Sequence, residues 1–224
     1  MGDTISISSD DGFTFNAYRA LPVGKPLGAI MVIQEIFGVN QHIREVADGY
    51  ATAGYAAIAP AIFDRAEPGI ELGYGQDDIT RGAGIAFGQL KMPDTLGDLG
   101  SCVQHLAQYG KVGAVGYCFG GMLAYLCASD VEGLACSVGY YGGGIAGALD
   151  QRPRVPLMLH FGELDQHIPM SDVAKIREAL PDVPVYSYDA DHGFNCTHRE
   201  SYNEDASKTA LERTLTFFSE QLAN

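Results

Sequence analysis

Residues 112–121 read Val-Gly-Ala-Val-Gly-Tyr-Cys-Phe-Gly-Gly, an apolar run that ends in the pattern Gly-x-Cys-x-Gly. An apolar helical pattern over 122–126 follows directly. A strand, a tight turn and a helix in this order present a nucleophile at the end of an α/β sheet. Gly116 and Gly120 leave room for a strained turn, and the start of the helix favours a Cys118 thiolate over the thiol. A small buried cysteine packed between glycines is the alternative reading.

Apolar runs elsewhere in the chain predict the remaining strands of a parallel sheet buried on both faces. They cover 27–33, 55–59, 134–140, 156–161 and 183–188. Helical patterns lie between them, over 43–50, 96–107, 119–129, 171–180 and 206–222. This alternation predicts an α/β fold with a mostly parallel central sheet and helices on both faces. Residues 4–8 and 13–20 alternate instead, which predicts an N-terminal hairpin at the sheet edge.

The domain organisation follows from length and uniformity. No repeat or change of composition divides the 224 residues, so we predict a single domain over 1–224. The segment 63–90 is the least regular, with Pro68 and six glycines. We expect it to form a lid-like or substrate-lining excursion.

Charge and cysteine content limit the partners and the compartment. Twenty-eight acidic residues against fourteen basic ones give a net charge of −14, which disfavours nucleic acid and anionic membranes as partners. Five cysteines without a CxxC pair predict a reducing cytoplasm. No signal peptide or membrane-spanning run is expected. The start of the chain fits a loose myristoylation pattern, but the alternation over 4–8 favours a strand there.

Two residues follow Cys118 in the chain order of a nucleophile, an acid and a histidine. Asp165 comes 47 residues later, directly after an apolar run, and His192 another 27 residues later, between the last run and the C-terminal helix. Glu163 is the competing acid. Alone, Asp165 fits a helix cap or a turn, and His192 fits a surface histidine or a hydrogen-bonded histidine of the core. Together with Cys118 they predict a catalytic triad.

Four motifs complete the pattern: Gln34-Glu35-Ile36-Phe37-Gly38 with Asn40, Gly116-Tyr117-Cys118-Phe119-Gly120-Gly121, Gly162-x-x-Asp165 with Ile168-Pro169, and His192-Gly193-Phe194. With them the chain resembles the dienelactone hydrolase (carboxymethylenebutenolidase) family of the α/β-hydrolase fold along nearly its whole length. The resemblance implies that Cys118 is the nucleophile, His192 the base and Asp165 the orienting acid. It also implies an oxyanion hole made by the backbone N–H groups of Ile36 and Phe119.

The resemblance further implies a carboxylate, Glu35, beside the nucleophilic thiol. A carboxylate there disfavours the free thiolate or accepts a hydrogen bond from the thiol. The nucleophile therefore stays unreactive until substrate displaces the thiol from the carboxylate. The alternative role for Glu35 is to cap the helix that starts near Asn40.

The family recognises a substrate carboxylate with arginines near the lid and after the histidine. Arg81 is the lid candidate. The position four after the histidine holds Cys196, where dienelactone-specific members are expected to have arginine, so Arg199 is the nearest candidate. Tyr74 is a further candidate for the same pocket. Solvated surface arginine is the alternative reading for Arg81 and Arg199.

Together with the resemblance, these residues predict a hydrolase that opens a small-molecule lactone or enol ester through a Cys–His–Asp triad and a thioester acyl-enzyme. Neither a metal nor an organic cofactor is required. An anionic substrate would need local arginines to overcome the negative charge of the chain. The alternative is a general carboxylesterase or thioesterase with the same triad.

Other function classes have weaker support. Gly142, Gly144 and Gly147 fit a dinucleotide-binding pattern, but Pro153 and the next strand leave no room for the helix that such a motif must open. Retention of all three triad residue types argues against a non-catalytic ligand-binding protein of the same fold, and a redox enzyme lacks a CxxC partner. Metal binding through Cys196 and His198 lacks further ligands in the sequence. No oligomeric state is predicted.

Overall fold

The computed structural model describes residues 2–223, and within them eight strands form one sheet. The strands are β1 (Asp3–Ser8), β2 (Thr14–Ala20), β3 (Ala29–Ile33), β4 (Ala56–Pro60), β5 (Val112–Tyr117), β6 (Leu134–Tyr140), β7 (Leu157–Gly162) and β8 (Val185–Tyr188). Their order is β1-β2-β4-β3-β5-β6-β7-β8. The pairs β1–β2 and β2–β4 are antiparallel and the other five pairs are parallel. The N-terminal hairpin lies at the sheet edge, as predicted.

Six α-helices surround this sheet within the same described residues. They are α1 (Gln41–Thr52), α2 (Gln76–Gly88), α3 (Met92–Leu106), α4 (Phe119–Asp130), α5 (Met170–Ala179) and α6 (Glu204–Leu222). Helices α1 and α6 meet on one face, where the rings of Tyr50 and Phe218 lie 5.9 Å apart. Helices α3 and α4 pack together on the other face. The predicted α/β architecture is therefore confirmed.

Burial explains why the central strands have continuous apolar sequences. Every residue of β3, β4 and β5 is buried, because helices cover both faces of the sheet at its centre. The outer strand β1 has only Ile7 fully buried and leaves most of its other side chains exposed. No helix within residues 2–223 is long and apolar enough to cross a membrane.

The segment 63–90 is more regular than its composition suggests. It contains α2, a helix of 13 residues, with Asp77 and Asp78 in the first turn, where carboxylates interact favourably with the helix dipole. Gly82 permits close packing, because a Cβ atom there would lie 2.0 Å from the carbonyl oxygen of Ile36. The segment is therefore partly helical, and Gly82 serves a contact of this helix.

The pattern at Gly142, Gly144 and Gly147 opens no long helix. Gly144 instead precedes a three-residue 3-10 helix, Ile145–Gly147. The phosphate site of a dinucleotide-binding fold needs a helix N-terminus directly after the glycines. The local structure therefore agrees with the rejection of this motif.

Substitution of Gly120 tests the packing between the end of β3 and the start of α4. A Cβ atom at Gly120 would lie 2.3 Å from the carbonyl oxygen of Ile33 and 2.5 Å from that of Gln34. Because both neighbours are backbone atoms, Gly120→Ala is expected to reduce the free energy of unfolding by about 1–3 kcal/mol, measured by urea denaturation.

Gly97→Ala is the matched control, since a Cβ atom at this exposed position of α3 meets nothing within 4 Å. Its free energy of unfolding is expected to stay equal or to rise by up to about 1 kcal/mol, the difference in helix propensity. Equal stability of Gly120→Ala and the unsubstituted chain would contradict the close backbone contact.

Candidate active site

Cys118 lies on a strained turn between β5 and α4. Its φ of 55° and ψ of −114° are unusual for a residue with a side chain. Gly116 allows this turn, because a Cβ atom there would lie 1.8 Å from the carbonyl oxygen of Gly120. The other four cysteines are buried, whereas Cys118 is partly exposed. The turn therefore presents one accessible thiol at the N-terminus of a helix.

Asp165 and His192 come together at the carboxyl end of the sheet, after β7 and β8. The Nδ1 atom of His192 donates to Oδ2 of Asp165 over 2.7 Å. The other oxygen of Asp165 accepts from the backbone N–H groups of His167 and Ile168 at 2.8 and 3.2 Å. These bonds fix the carboxylate, so the imidazole is held in one orientation. Glu163, the competing acid, is exposed and accepts instead from Ser187.

The electrostatics of this pair favour a charged imidazole. Burial alone would lower the pKa of His192, but hydrogen bonds with Asp165 and with Cys118, and the charges of both groups, raise it to about 10. Burial alone would raise the pKa of Asp165, yet its bond to His192 brings that pKa below the usual value. A charged imidazole can donate a proton to a leaving group.

The loops of Ile36 and Phe119 are in contact. Phe119 is the first residue of α4, so its N–H has no partner within the helix. Ile36 follows β3, and Gly120 packs directly against the carbonyl groups at the end of that strand. The two predicted oxyanion-hole residues therefore come from adjoining loops.

Glu35 is fully buried beside these loops. Its Oε1 atom lies 3.4 Å from Nη1 of Arg199, and its Oε2 atom is buried without a hydrogen-bond partner in the described residues. Burial raises the pKa of Glu35, although the charges of Arg199 and His192 oppose the shift. The alternative role of Glu35 as a helix cap is filled by Asn40, whose side chain accepts from the N–H of Ile43.

Arg199 lies beside Glu35, and Tyr74 lies beside Arg199. The Arg199 guanidinium lies 5.8 Å from the centre of the Tyr74 ring and 5.9 Å from that of Phe37. The Tyr74 hydroxyl accepts from the Cys196 thiol at 3.2 Å. The structure therefore brings Arg199 and Tyr74 together and adds Cys196 as a buried neighbour.

Arg81 has a different environment. It lies on α2 and forms a 2.6 Å ion pair with Glu67, and both side chains are about half exposed. It stands next to Gly82, which packs on the Ile36 loop, so Arg81 lies at the rim of the site. Its pairing with Glu67 matches the alternative reading of a solvated surface arginine.

Tyr141 was not singled out from the sequence. Its ring centre lies 5.1 Å from that of His192, and its hydroxyl is buried without a hydrogen-bond partner in residues 2–223. Its φ of 37° is again unusual for a residue with a side chain. An aromatic residue directly after an apolar strand is expected to be part of the hydrophobic core, so the sequence offered no reason to select it. The one signal for a functional role was its position at the carboxyl end of β6.

One group of buried residues beside this site offers metal ligands. Ligand atoms of Glu35, His42 and Cys196 all lie within 4.8 Å of one another. The guanidinium of Arg199 beside Glu35 opposes the binding of a cation there.

The chain is similar to known proteins along nearly its whole length. The sequence model of the dienelactone hydrolase family matches residues 15–222. The carboxymethylenebutenolidase of Pseudomonas putida is 37% identical over 224 residues, which cover 95% of this chain and 94% of that protein. A second carboxymethylenebutenolidase, from Pseudomonas sp. (strain P51), is 35% identical and covers 94% of this chain and 92% of its own.

Solved structures share the fold. A candidate dienelactone hydrolase from Klebsiella pneumoniae subsp. pneumoniae superposes with a TM-score of 0.86 at 28% identity, covering 98% of both chains. An esterase from Pyrococcus furiosus superposes with a TM-score of 0.71 at 16% identity, covering 100% of this chain and 94% of its own, and this likeness concerns the fold alone.

Proposed function

The chain belongs to the dienelactone hydrolase family and is a hydrolase of carboxylic ester bonds, and we propose that it opens lactones or enol esters with Cys118, His192 and Asp165. The observation that carries this proposal is the 2.7 Å bond between His192 and Asp165, at the sheet end where Cys118 sits on its strained turn. The order of strand, turn and helix around Cys118 adds support. The substrate is a small-molecule ester or lactone.

In the first half of the reaction the Cys118 sulfur attacks the carbonyl carbon. Electrons of the C=O bond move to the oxygen, and the N–H groups of Ile36 and Phe119 stabilise the resulting oxyanion. When the oxyanion collapses, the bond to the leaving oxygen breaks and a thioester with Cys118 remains. His192 gives its proton to the leaving oxygen. Because the enolate of an enol lactone leaves easily, this step needs little acid assistance.

In the second half His192 is neutral and acts as a base. It takes a proton from water while the water oxygen attacks the thioester, and collapse of the second oxyanion expels the Cys118 thiolate. The free acid then dissociates. Throughout, Asp165 holds the proton on Nδ1, so that Nε2 of His192 faces the reacting atoms.

The environment of Glu35 supports the role that the family resemblance implies for it, which is to keep the Cys118 thiol unreactive before substrate binds. It is a fully buried carboxylate with one oxygen lacking a partner in the described residues. Such a group disfavours a second negative charge nearby or accepts a hydrogen bond from a thiol. We propose that it keeps Cys118 quiet until substrate enters.

We also propose that the substrate is anionic, and Arg199 is the residue that supports this. Its guanidinium is partly exposed and stacked near Tyr74 and Phe37, and its contact with Glu35 is long at 3.4 Å. It can therefore offer N–H donors to a substrate carboxylate. Arg81, at the rim, is a second candidate that must first leave Glu67.

Apolar side chains favour the alternative, a general carboxylesterase or thioesterase. Phe87 of α2 is 73% exposed and its ring lies 5.4 Å from that of Phe119. Leu164, next to Asp165, is 53% exposed. These two side chains would contact a neutral acyl or aryl group at the entrance more readily than a carboxylate.

Two further proposals concern the role of residues 63–90 and the cellular location. We propose that residues 63–90 line the substrate site within a single domain over 1–224, supported by the contact of Gly82 with Ile36. We also propose a cytoplasmic location, supported by five cysteines that form no disulfide.

Hydrolysis of a dienelactone and of a neutral aryl ester of similar size tests the chemistry. Cys118→Ala is expected to lose nearly all turnover of both, at least about a thousandfold, because no nucleophile remains. The measurement is time-resolved absorbance of each substrate. Unchanged turnover of both substrates by Cys118→Ala would contradict the proposal. Turnover of only the neutral ester by the unsubstituted chain would instead favour the alternative function.

Substitution of Arg199 tests the anionic pocket. Arg199→Met is expected to raise KM for the dienelactone about tenfold or more, because the substrate carboxylate loses a charged donor. The effect on kcat/KM of the neutral ester is expected to be smaller.

Arg154→Met is the matched control, since it removes the same charge from a side chain that is 70% exposed. It is expected to leave KM for both substrates unchanged. Equal effects of Arg199→Met on the two substrates would contradict a carboxylate pocket at Arg199.

A further inference from the structure

Two histidines and a glutamate meet between α1 and the loop that follows His192. His42 and Glu45 are three residues apart on α1, so they project from the same side of the helix. His198 comes from the loop, and its Nε2 atom lies 2.7 Å from a carboxylate oxygen of Glu45. One ligand atom from each of the three residues lies within 4.8 Å of the other two. The three side chains are therefore close enough together to share one ion after small movements.

His42 has an unusual polar environment. It is only 3% exposed, and its Nε2 atom is buried without a hydrogen-bond partner in residues 2–223. A buried ring nitrogen without a partner costs about 1–3 kcal/mol, so such an atom needs a reason. Its nearest aromatic neighbours are the rings of His198 and Tyr117, at 6.0 and 6.4 Å.

We propose that His42, Glu45 and His198 form a binding site for a divalent transition-metal ion of the zinc type. Two imidazoles and one carboxylate are ligands that Zn²⁺ accepts, with a fourth position left to water. Ca²⁺ and Mg²⁺ prefer all-oxygen sites and fit this set less well. The site is separate from the triad and does not depend on the reaction proposed above.

The distances allow such a site after small side-chain movements. Ligand atoms around a tetrahedral zinc ion lie roughly 3.3 Å apart, which follows from metal–ligand bonds of about 2.0–2.1 Å. Glu45 and His198 must therefore separate slightly, and the widest pair must close by at most about 1.5 Å. The side chains of Glu45 and His198 are 47% and 32% exposed, so they can rotate. The buried His42 provides the fixed ligand.

The surroundings give water and metal ions access. A groove of about 270 Å³ is lined by His42, Glu45 and Thr197, among others. The net charge of −14 favours cations over the chain as a whole. Arg199 and the N-terminal end of α1 oppose a cation locally, so the affinity is expected to be weaker than that of structural zinc sites.

This proposal departs from the sequence-based prediction of no metal. Cys196 and His198 alone lacked further ligands, but the fold brings α1 beside their loop. Of the two clusters that share His42, the outer one with Glu45 and His198 is favoured. In the inner one, Arg199 already lies 3.4 Å from Glu35. A bound ion would tie α1 to the loop that carries His192, six residues before His198.

Calorimetric titration with Zn²⁺ tests the proposal. The full chain carries Cys118→Ala, which removes the accessible thiol as a competing ligand. One ion per chain is expected. Glu45→Gln and His198→Ala are each expected to lower the affinity at least about tenfold. Titration with Co²⁺ is expected to give visible absorption without the near-ultraviolet band of a thiolate ligand.

His105→Ala is the matched control, since His105 also has a buried ring nitrogen without a partner but lies on α3, outside the cluster. It is expected to leave the zinc affinity unchanged. Thermal unfolding shows whether the variants fold, since without metal they should unfold near the temperature of the parent chain. Zn²⁺ should raise the unfolding temperature of the parent chain more than that of Glu45→Gln or His198→Ala.

Cys196→Ser distinguishes the two clusters. Unchanged zinc affinity in this variant supports the outer cluster. Loss of binding in Cys196→Ser with full binding in His198→Ala would overturn the proposal in favour of the inner cluster. No binding to the parent chain, or equal affinity in every variant, would overturn it outright.

Discussion

Close backbone packing around Cys118 is the constraint on which the site depends. Gly116, Gly120 and Gly121 each approach a carbonyl oxygen so closely that a Cβ atom would lie within 2.4 Å of it. These contacts hold the turn in its strained conformation, fix where α4 begins, and pack the turn against the end of β3. Because the loop after β3 carries Glu35 and Ile36, the same contacts bring this loop next to the turn that carries Cys118. Packing energy is thus used to hold a reactive geometry that the local sequence alone would not adopt.

Around this turn, buried charges are arranged in two linked pairs. Asp165 orients His192, and Arg199 lies near Glu35. The first pair is short and supported by backbone N–H groups, so it serves as a fixed element of the proposed mechanism. The second is long and leaves one carboxylate oxygen without a partner in the described residues, so in the proposed mechanism it is the pair that an incoming substrate rearranges. Charged groups interact strongly where the dielectric constant is low. In the proposed mechanism the Asp165–His192 pair therefore positions the imidazole, whereas the Glu35–Arg199 pair changes its contacts when substrate binds.

The fold was largely predictable because buried parallel strands have a simple signal. The run for β6 matches the observed bounds, and Asp165 and His192 follow their strands as expected. The pattern failed where packing decides: Gly82 looked like a loop residue but permits a helix contact. The pairing of Arg81 with Glu67, the place of Tyr141 beside His192, and the meeting of His42 with His198 depend on residues distant in sequence. No local periodicity encodes such contacts, so sequence reasoning could name candidates there but could not assemble them.

Covalent catalysis by Cys118 is the central claim, and a trapped intermediate tests it most directly. Turnover of an aryl ester with a good leaving group is stopped by acid within the first turnover, and the peptide that contains Cys118 is analysed by mass. The account predicts a rapid release of about one equivalent of phenol per chain, and a Cys118 peptide heavier by the acyl group. Release of phenol with an unmodified Cys118 peptide, or with the acyl group on another residue, would contradict it.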